Sequence, residues 1–194
     1  MQVYKAVITR RTIRRFKQKQ IPAQILNKLI NAGRLAPSAA NLQPLEFILV
    51  NNKVLCAKVF PCLRWAGYVA PRGTPPENKR PTAYVAVLVN KSKAVPKYMA
   101  YDVAAACENI ILTAWEEAIG ACWMQAIDRP KLKRILKIPA GFRLDSIISL
   151  GYRDEAPKVE KFKGSIKYWL DRKGRLHIPK RNIRGIIHWN HFRK

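Results

Sequence analysis

The chain has 194 residues, the length of one domain able to bury a sizeable core. Its 37 Lys and Arg against 12 Asp and Glu give a formal charge of +25, yet 48% of the residues are apolar, which excludes intrinsic disorder. No apolar run approaches the roughly 18 residues that span a bilayer. The opening MQVYKAVITRRTIRRF lacks the uncharged apolar stretch and small-residue cleavage site of a secretory signal, so no leader is expected.

Taken in chain order, a short apolar stretch before Arg10 suffices for a helical turn. Residues 22–34 follow a proline and set Ile25, Leu26, Leu29 and Ile30 on one face of a helix expected to close near Gly33. Residues 46–50 read as a strand and 53–60 as a short helix. The stretch APRGTPPENKRP, residues 70–81, is a loop by its proline and glycine content, either a lid or a disordered excursion. Residues 83–89 are apolar on both faces, as in an interior strand covered by helices on either side. Residues 98–118 are apolar nearly all round, a central helix expected to end at Gly120, followed by a strand at 121–127. A helix starting at Pro130 runs over 130–137, and 146–152 is another strand. Residues 166–170 and 175–178 flank Arg172-Lys173-Gly174 as a hairpin, and an amphipathic piece, 183–192, closes the chain. Helices and strands mix without strict alternation, which favours an α+β sandwich over a doubly wound sheet. There is no repeat or linker, so residues 1–194 are expected to be a single domain.

The charge is spread rather than concentrated. Residues 101–150 carry six basic and six acidic side chains, whereas residues 1–50 and 51–100 each carry nine against one, and residues 151–194 carry 13 against four. Such dispersal gives a solvated surface able to bind polyanions weakly. Specific nucleic-acid binding would need a docking module, and no zinc-finger spacing, RNP-like strand or heptad zipper is present. Cys56, Cys62, Cys107 and Cys122 form no CxxC pair and lie far from His177, His188 and His191, which argues against a metal site. Cys107 and Cys122 read as small buried hydrophobes, and four unpatterned thiols fit a reducing cytoplasm.

Three segments bear on chemistry. In Arg10-Arg11-Thr12-Ile13-Arg14, guanidinium forks flank a hydroxyl, a donor set suited to a phosphate dianion; a basic surface segment is the simpler reading of this motif alone. In residues 36–44, APSAANLQP, small residues between prolines make a rigid loop of close approach, and Asn41 and Gln43 offer donors and acceptors to a planar, polar-edged ligand. The third, residues 147–157, is a strand running into a Gly-Tyr turn.

Read together and in this order, these segments resemble the nitroreductase family of FMN-dependent oxidoreductases. The likeness rests on RRTIRxF, on AGRLAPSAANLQP, on the long helix beginning DVAAACEN at Asp102, on IGACW, and on LGYRDEAP; it spans about residues 5–157, and Lys180-Arg181 looks like the family's basic pair before a final helix. The resemblance implies a three-layer α+β sandwich whose mixed, mostly antiparallel sheet is flanked by helices, with a C-terminal arm. It also implies a homodimer that builds two FMN sites at its interface. Members take hydride from NADH or NADPH onto the flavin and reduce a small-molecule acceptor, often a nitroaromatic or quinone, in a ping-pong cycle. Carried onto this chain, Arg10, Arg11, Thr12 and Arg14 would hold the FMN phosphate, ribityl chain and pyrimidine edge. Pro37, Ser38, Ala39 and Asn41 would line the ring from the partner subunit, with Gln43 close by, and Lys180 and Arg181 would reach the phosphate. Gly120 and Ala121 would approach the ring near N5 through a backbone donor. No side chain is assigned as acid or base, since the cofactor carries the chemistry.

The chain departs from the family pattern in three places. Thr12 stands where serine is commoner, Ala118-Ile119-Gly120-Ala121 replaces a glycine-rich turn, and residues 158–179 form an added hairpin, expected to be a dimer-packing arm rather than an aromatic wall for substrate. Trp65 and Tyr68 suit either a flavin cover or core packing. Within the same fold the alternative is a specialised flavoenzyme, an iodotyrosine dehalogenase or a flavin-cleaving enzyme; a basic nucleic-acid-binding protein rests on charge alone. The expected partners are a second copy of the chain and a small-molecule acceptor, with no specific nucleic acid and no membrane.

Overall fold

The computed structural model describes residues 2–192. Its organising element is β3 (Ala83–Asn90), a strand whose first seven residues carry one polar group, the Tyr84 hydroxyl, and are buried along both faces. β2 (Leu45–Val50) pairs antiparallel with one edge of β3, and the long β5 (Phe142–Arg153) with the other. β4 (Ile119–Met124) adds antiparallel to β5, and β1 (Phe16–Lys17) pairs with its last residues, Tyr152 and Arg153.

Alternation along β3 divides the interior into two cores. Tyr84, Ala86 and Leu88 join Cys56, Val59 and Phe60 of α3 (Lys53–Val59) and the turn after it, together with Leu132 of α5 (Arg129–Ile135). Val85, Val87 and Val89 join Leu26 and Leu29 of α2 (Ala23–Arg34) and Val103, Cys107 and Ile110 of α4 (Met99–Glu116). The result is a three-layer α+β sandwich with a mostly antiparallel sheet, as the sequence leads one to expect. Asn52 caps α3 and Asp128 caps α5, each accepting a bond from a backbone N–H three residues on. No helix among the described residues is long and apolar enough to cross a membrane.

Several boundaries differ from the expectation, each for a local reason. The central helix ends at Glu116, because Ala118 turns into the left-handed region at φ 59°. Gly120 therefore does not stop a helix; it lies inside β4, opposite Gly151 of β5. The proline-rich stretch 70–81 is neither a lid nor an excursion but is tied down. Lys79 pairs with Asp154, and Gln18 Nε2 donates to the Arg80 carbonyl at 2.9 Å. At the C-terminal end β7 (Trp169–Leu170) and β8 (Leu176–Lys180) form an antiparallel pair, and β6 (Lys158–Lys161) runs parallel to β8 on its other edge. Residues 183–192 form no α-helix: a single 3-10 turn over Ile183–Gly185 leaves Ile183, Ile186, Trp189 and Phe192 exposed. An amphipathic pattern without a surface to bury its apolar side does not hold a helix.

Candidate functional site

The arginine segment crosses the sheet over a gap left by two glycines. Gly120 and Gly151 face each other across β4 and β5. A Cβ built on Gly120 would lie 2.6 Å from Ile13, and one on Gly151 would lie 2.8 Å from Phe16. Ile13 and Phe16 are both fully buried there, and the Ile13 N–H donates to the Ala121 carbonyl at 3.0 Å, so Thr12 lies parallel beside Ala121. Arg14 and Arg15 stand between these two plugs. Their backbone N–H groups both donate to Oε1 of Glu155, the bond from Arg15 being 3.2 Å.

The guanidinium groups in this cradle are short of acceptors. Arg14 Nε and Nη1 and Arg10 Nε are buried without a hydrogen-bond partner. The Arg10 guanidinium lies 3.5 Å from Glu108 of α4, and the Arg11 side chain turns back onto the Arg10 carbonyl. Burial first, and neighbouring Arg10 second, hold the Arg11 guanidinium below the usual arginine range. Tyr168 covers Arg14, its ring centre 5.4 Å from the guanidinium carbon, and Tyr68 packs on Tyr168 at 4.9 Å. Beneath Arg14 is the buried Cys122 thiol, which burial pushes up to about 11 and the arginine charge draws back. Buried donors that face no acceptor cost free energy unless an anion meets them.

The second predicted segment is held on the same helix, two turns away. The Ala39 N–H donates to Oδ1 of Asp102, a buried carboxylate in the first turn of α4, at 2.9 Å. Ser38 Oγ accepts from the Gln43 N–H at 3.0 Å. Between these anchors Ala40, Asn41 and Gln43 all take positive φ, 49°, 54° and 48°, a conformation that costs of order 1 kcal/mol for a side chain other than glycine. Pro37, Ser38 and Ala39 line a shallow cleft with Tyr98, Tyr101 and Asp102, while the Asn41 and Gln43 side chains face solvent.

The candidate residues thus fall into three groups. Arg10, Arg11, Thr12 and Arg14 lie together with Gly120 and Ala121. Pro37, Ser38, Ala39, Asn41 and Gln43 form a separate loop, and among the described residues no hydrogen bond or ion pair joins it to the arginine segment. Lys180 and Arg181 lie at the exposed end of β8, where Lys180 pairs with Lys161 and Arg181 Nη2 donates to the Gly185 carbonyl at 3.0 Å; among the described residues no hydrogen bond or ion pair joins them to Arg10–Arg14. Trp65 is a core residue stacked on Phe60 at 5.6 Å, whereas Tyr68 is exposed beside the cradle. Three contributors were not among the predicted site residues: Asp102, Glu155 and Tyr168. Asp102 and Glu155 stood only inside the family-like motifs DVAAACEN and LGYRDEAP, and Tyr168 only in the added 158–179 segment, as part of a packing arm or aromatic wall.

Comparison with known proteins bears on the family and the fold. The model of the Nitroreductase family matches residues 7–152. A protein of Archaeoglobus fulgidus named "Putative NADH dehydrogenase/NAD(P)H nitroreductase" is 32% identical over 165 residues, covering 81% of this chain and 86% of its own. An iodotyrosine deiodinase of Thermotoga neapolitana is 27% identical, covering 86% of this chain and 97% of its own. The solved structure of an FMN-dependent nitroreductase from Clostridium difficile superposes with a TM-score of 0.70 at 26% identity, covering 96% of this chain and 98% of the other. A glycine-seated arginine segment, a strained APSAAN loop hung from the central helix, and a family match running through both lead to one conclusion: the chain belongs to the nitroreductase family.

Proposed function

We propose that the protein is an FMN-dependent oxidoreductase that takes electrons from NADH or NADPH and reduces a nitroaromatic, a quinone or a similar small acceptor in a ping-pong cycle. The observation that carries this reading is the pair of buried Arg14 nitrogens, Nε and Nη1, that have no hydrogen-bond partner, beside an Arg10 whose Nε meets only Glu108 at 3.5 Å; this donor set suits an anionic, planar ligand such as FMN. When bound, FMN would supply the redox chemistry, accepting hydride from the nicotinamide and returning electrons to the acceptor. The chain's own residues would bind and orient it. Arg10, Arg11 and Thr12 would hold the phosphate and ribityl chain, and Arg14 would place a fixed positive charge at the pyrimidine edge, where negative charge gathers on reduction. Ala121 and its neighbours would meet the ring through the backbone. The loop at 37–43 would line the ring, and since it does not reach the arginine segment of its own chain, a second copy would supply it. Lys180 and Arg181 would likewise act on the phosphate from a second copy. The four free cysteines are all buried, consistent with a cytoplasmic protein.

The test is direct. Purified protein should be yellow and should bleach on anaerobic addition of NADH or NADPH. Replacing Arg10 and Arg14 together by Ala should strip the flavin and leave the circular dichroism unchanged. Unaltered flavin content in that variant refutes the assignment of the arginines, and colourless protein that cannot be reconstituted with FMN refutes the reading as a whole.

A second reading within the family has its own observation, the likeness to an iodotyrosine deiodinase over 86% of this chain. Turnover of iodotyrosine in a panel that also offers quinones and nitroaromatics, with each nicotinamide, separates the two.

A further inference from the structure

A second cavity lies away from the arginine cradle, between α3, the residues leading into β3, and the chain just after β1. It encloses about 290 Å³, at the lower end of the range for small-molecule sites. Three polar groups on its wall are buried and have no hydrogen-bond partner: Arg80 Nε, Thr82 Oγ1 and Tyr84 Oη. Tyr84 is 1% exposed, so its hydroxyl has no recourse to bulk water.

The surroundings define what these groups can accept. The backbone at this point is already committed, with the Thr82 N–H donating to Leu150 and the Arg80 carbonyl accepting from Gln18. The Cys56 thiol, pushed up to about 11 by burial, spends its hydrogen on the Val50 and Thr82 carbonyls, each at 3.7 Å. Burial also holds the Tyr84 hydroxyl far above the ordinary phenol range, so it stays protonated and able to donate. The Arg80 guanidinium carbon lies over Phe60, 4.2 Å from the ring centre, a cation–π contact that holds the group at the cavity wall. Arg80, Thr82 and Tyr84, each with one buried, unpaired polar atom, thus line one small space whose apolar side is Ala57, Phe60 and Pro81.

We infer that this cavity is a binding site for a small monocarboxylate with an apolar body, its carboxylate held by Arg80, Thr82 and Tyr84 and its body laid against Phe60 and Pro81. A single charge matches the donor set: Lys53 and Arg80 outnumber Glu77 at the cavity by one, whereas a phosphate dianion would surrender more hydration than that balance restores. The volume admits one ring or a short chain. The site is independent of flavin and can be occupied together with it.

Calorimetric titration of the FMN-saturated protein with benzoate tests this, with benzamide and inorganic phosphate as controls. Benzoate should bind saturably, one per chain, with a dissociation constant at or below about 1 mM, and should bind at least about tenfold more tightly than either control. Thr82→Val and Tyr84→Phe should each weaken benzoate about tenfold, the loss expected for one hydrogen bond to a charged group. Without benzoate, Tyr84→Phe should melt at the same temperature as the parent or higher, because it removes a buried hydroxyl that has no partner. The inference is overturned if benzoate shows no saturation by about 10 mM, if both variants bind it like the parent, or if it competes with FMN. A Tyr84→Phe variant that melts lower in the absence of benzoate, with no benzoate bound by the parent, would mark the cavity as a structural water site instead.

Discussion

Two hydrogen atoms set the position of the arginine cradle. Because Gly120 and Gly151 are opposite each other and carry no side chain, Ile13 and Phe16 can seat on the sheet and hold Arg14 at fixed height. Gly120→Ala forces a methyl into Ile13 and should cost about 1–3 kcal/mol, the usual range for overpacking. Ile13→Ala, damaging on its own, should recover part of that loss in the double variant, and a double-mutant cycle in urea measures the coupling. Simple additivity would show that the contact with Ile13 is not what demands glycine. At the second anchor, Asp102→Ala leaves the Ala39 N–H without its carboxylate. It should lower stability by about 1–2 kcal/mol and, on the proposed function, reduce retained flavin; unchanged melting and flavin content would contradict this role.

At the scale of elements, His177 ties the small C-terminal sheet together. It is buried on β8, stacked on Trp169 at 4.2 Å, with Nδ1 2.6 Å from Glu160 of β6 and Nε2 3.1 Å from Asp171 in the β7–β8 turn. The hydrogen bond to Glu160 first, then that to Asp171, raises its pKa above the ordinary histidine value. Only the imidazolium can donate through both nitrogens. A raised folded-state pKa means that the stabilisation is complete below the unfolded value of about 6.5 and is lost as pH climbs through the folded one. Hydrogen exchange over residues 158–180, corrected for intrinsic rates, should therefore speed up as pH rises above about 6.5, and His177→Gln should abolish the dependence. A flat profile in the parent would remove the histidine from this role.

How far the sequence revealed these elements depended on what each buries. β3 and α4 were legible because burial on every side leaves an unbroken apolar run. The end of α4 was misread because a glycine after a helix usually signals its stop, whereas Gly120 answers to Ile13, more than a hundred positions earlier in the chain. The 183–192 segment has helical spacing but no surface beneath it, and spacing alone cannot report that. In the site, contiguous motifs such as RRTIR and APSAAN were visible. The contacts of Arg14 with Glu155 and Tyr168 are long-range and left no mark in local pattern.

For the whole molecule, the three layers leave apolar surface uncovered. Val3 and Tyr4 on α1 (Val3–Thr9), Tyr101 on α4, and Trp189 and Phe192 near the C-terminus are 70–80% exposed. Exposed apolar groups of this size mark an interface where they gather into one patch. A homodimer is the assembly we propose to cover them and to bring a 37–43 loop to each arginine cradle. Sedimentation equilibrium should give the mass of two chains at micromolar concentration, and a monomer that binds FMN at full affinity would contradict the shared site. α4 carries Asp102, Glu108 and Glu116 and no Lys or Arg, and β4 carries no charge, so this helix and strand escape the mutual repulsion that the basic excess imposes on the rest of a +25 chain.

α4 holds both halves of the candidate site: Asp102 anchors the strained loop, and Glu108 lies beside Arg10. Six residues of helix separate these points by roughly 9 Å. The helix thus serves as a ruler whose graduations are single residues. Substitutions on its exposed side between the two anchors leave the spacing intact, but inserting or deleting one residue there would turn Asp102 by about 100° relative to Glu108 and swing the loop off its seat. This stretch should accept changes of identity far more readily than changes of length.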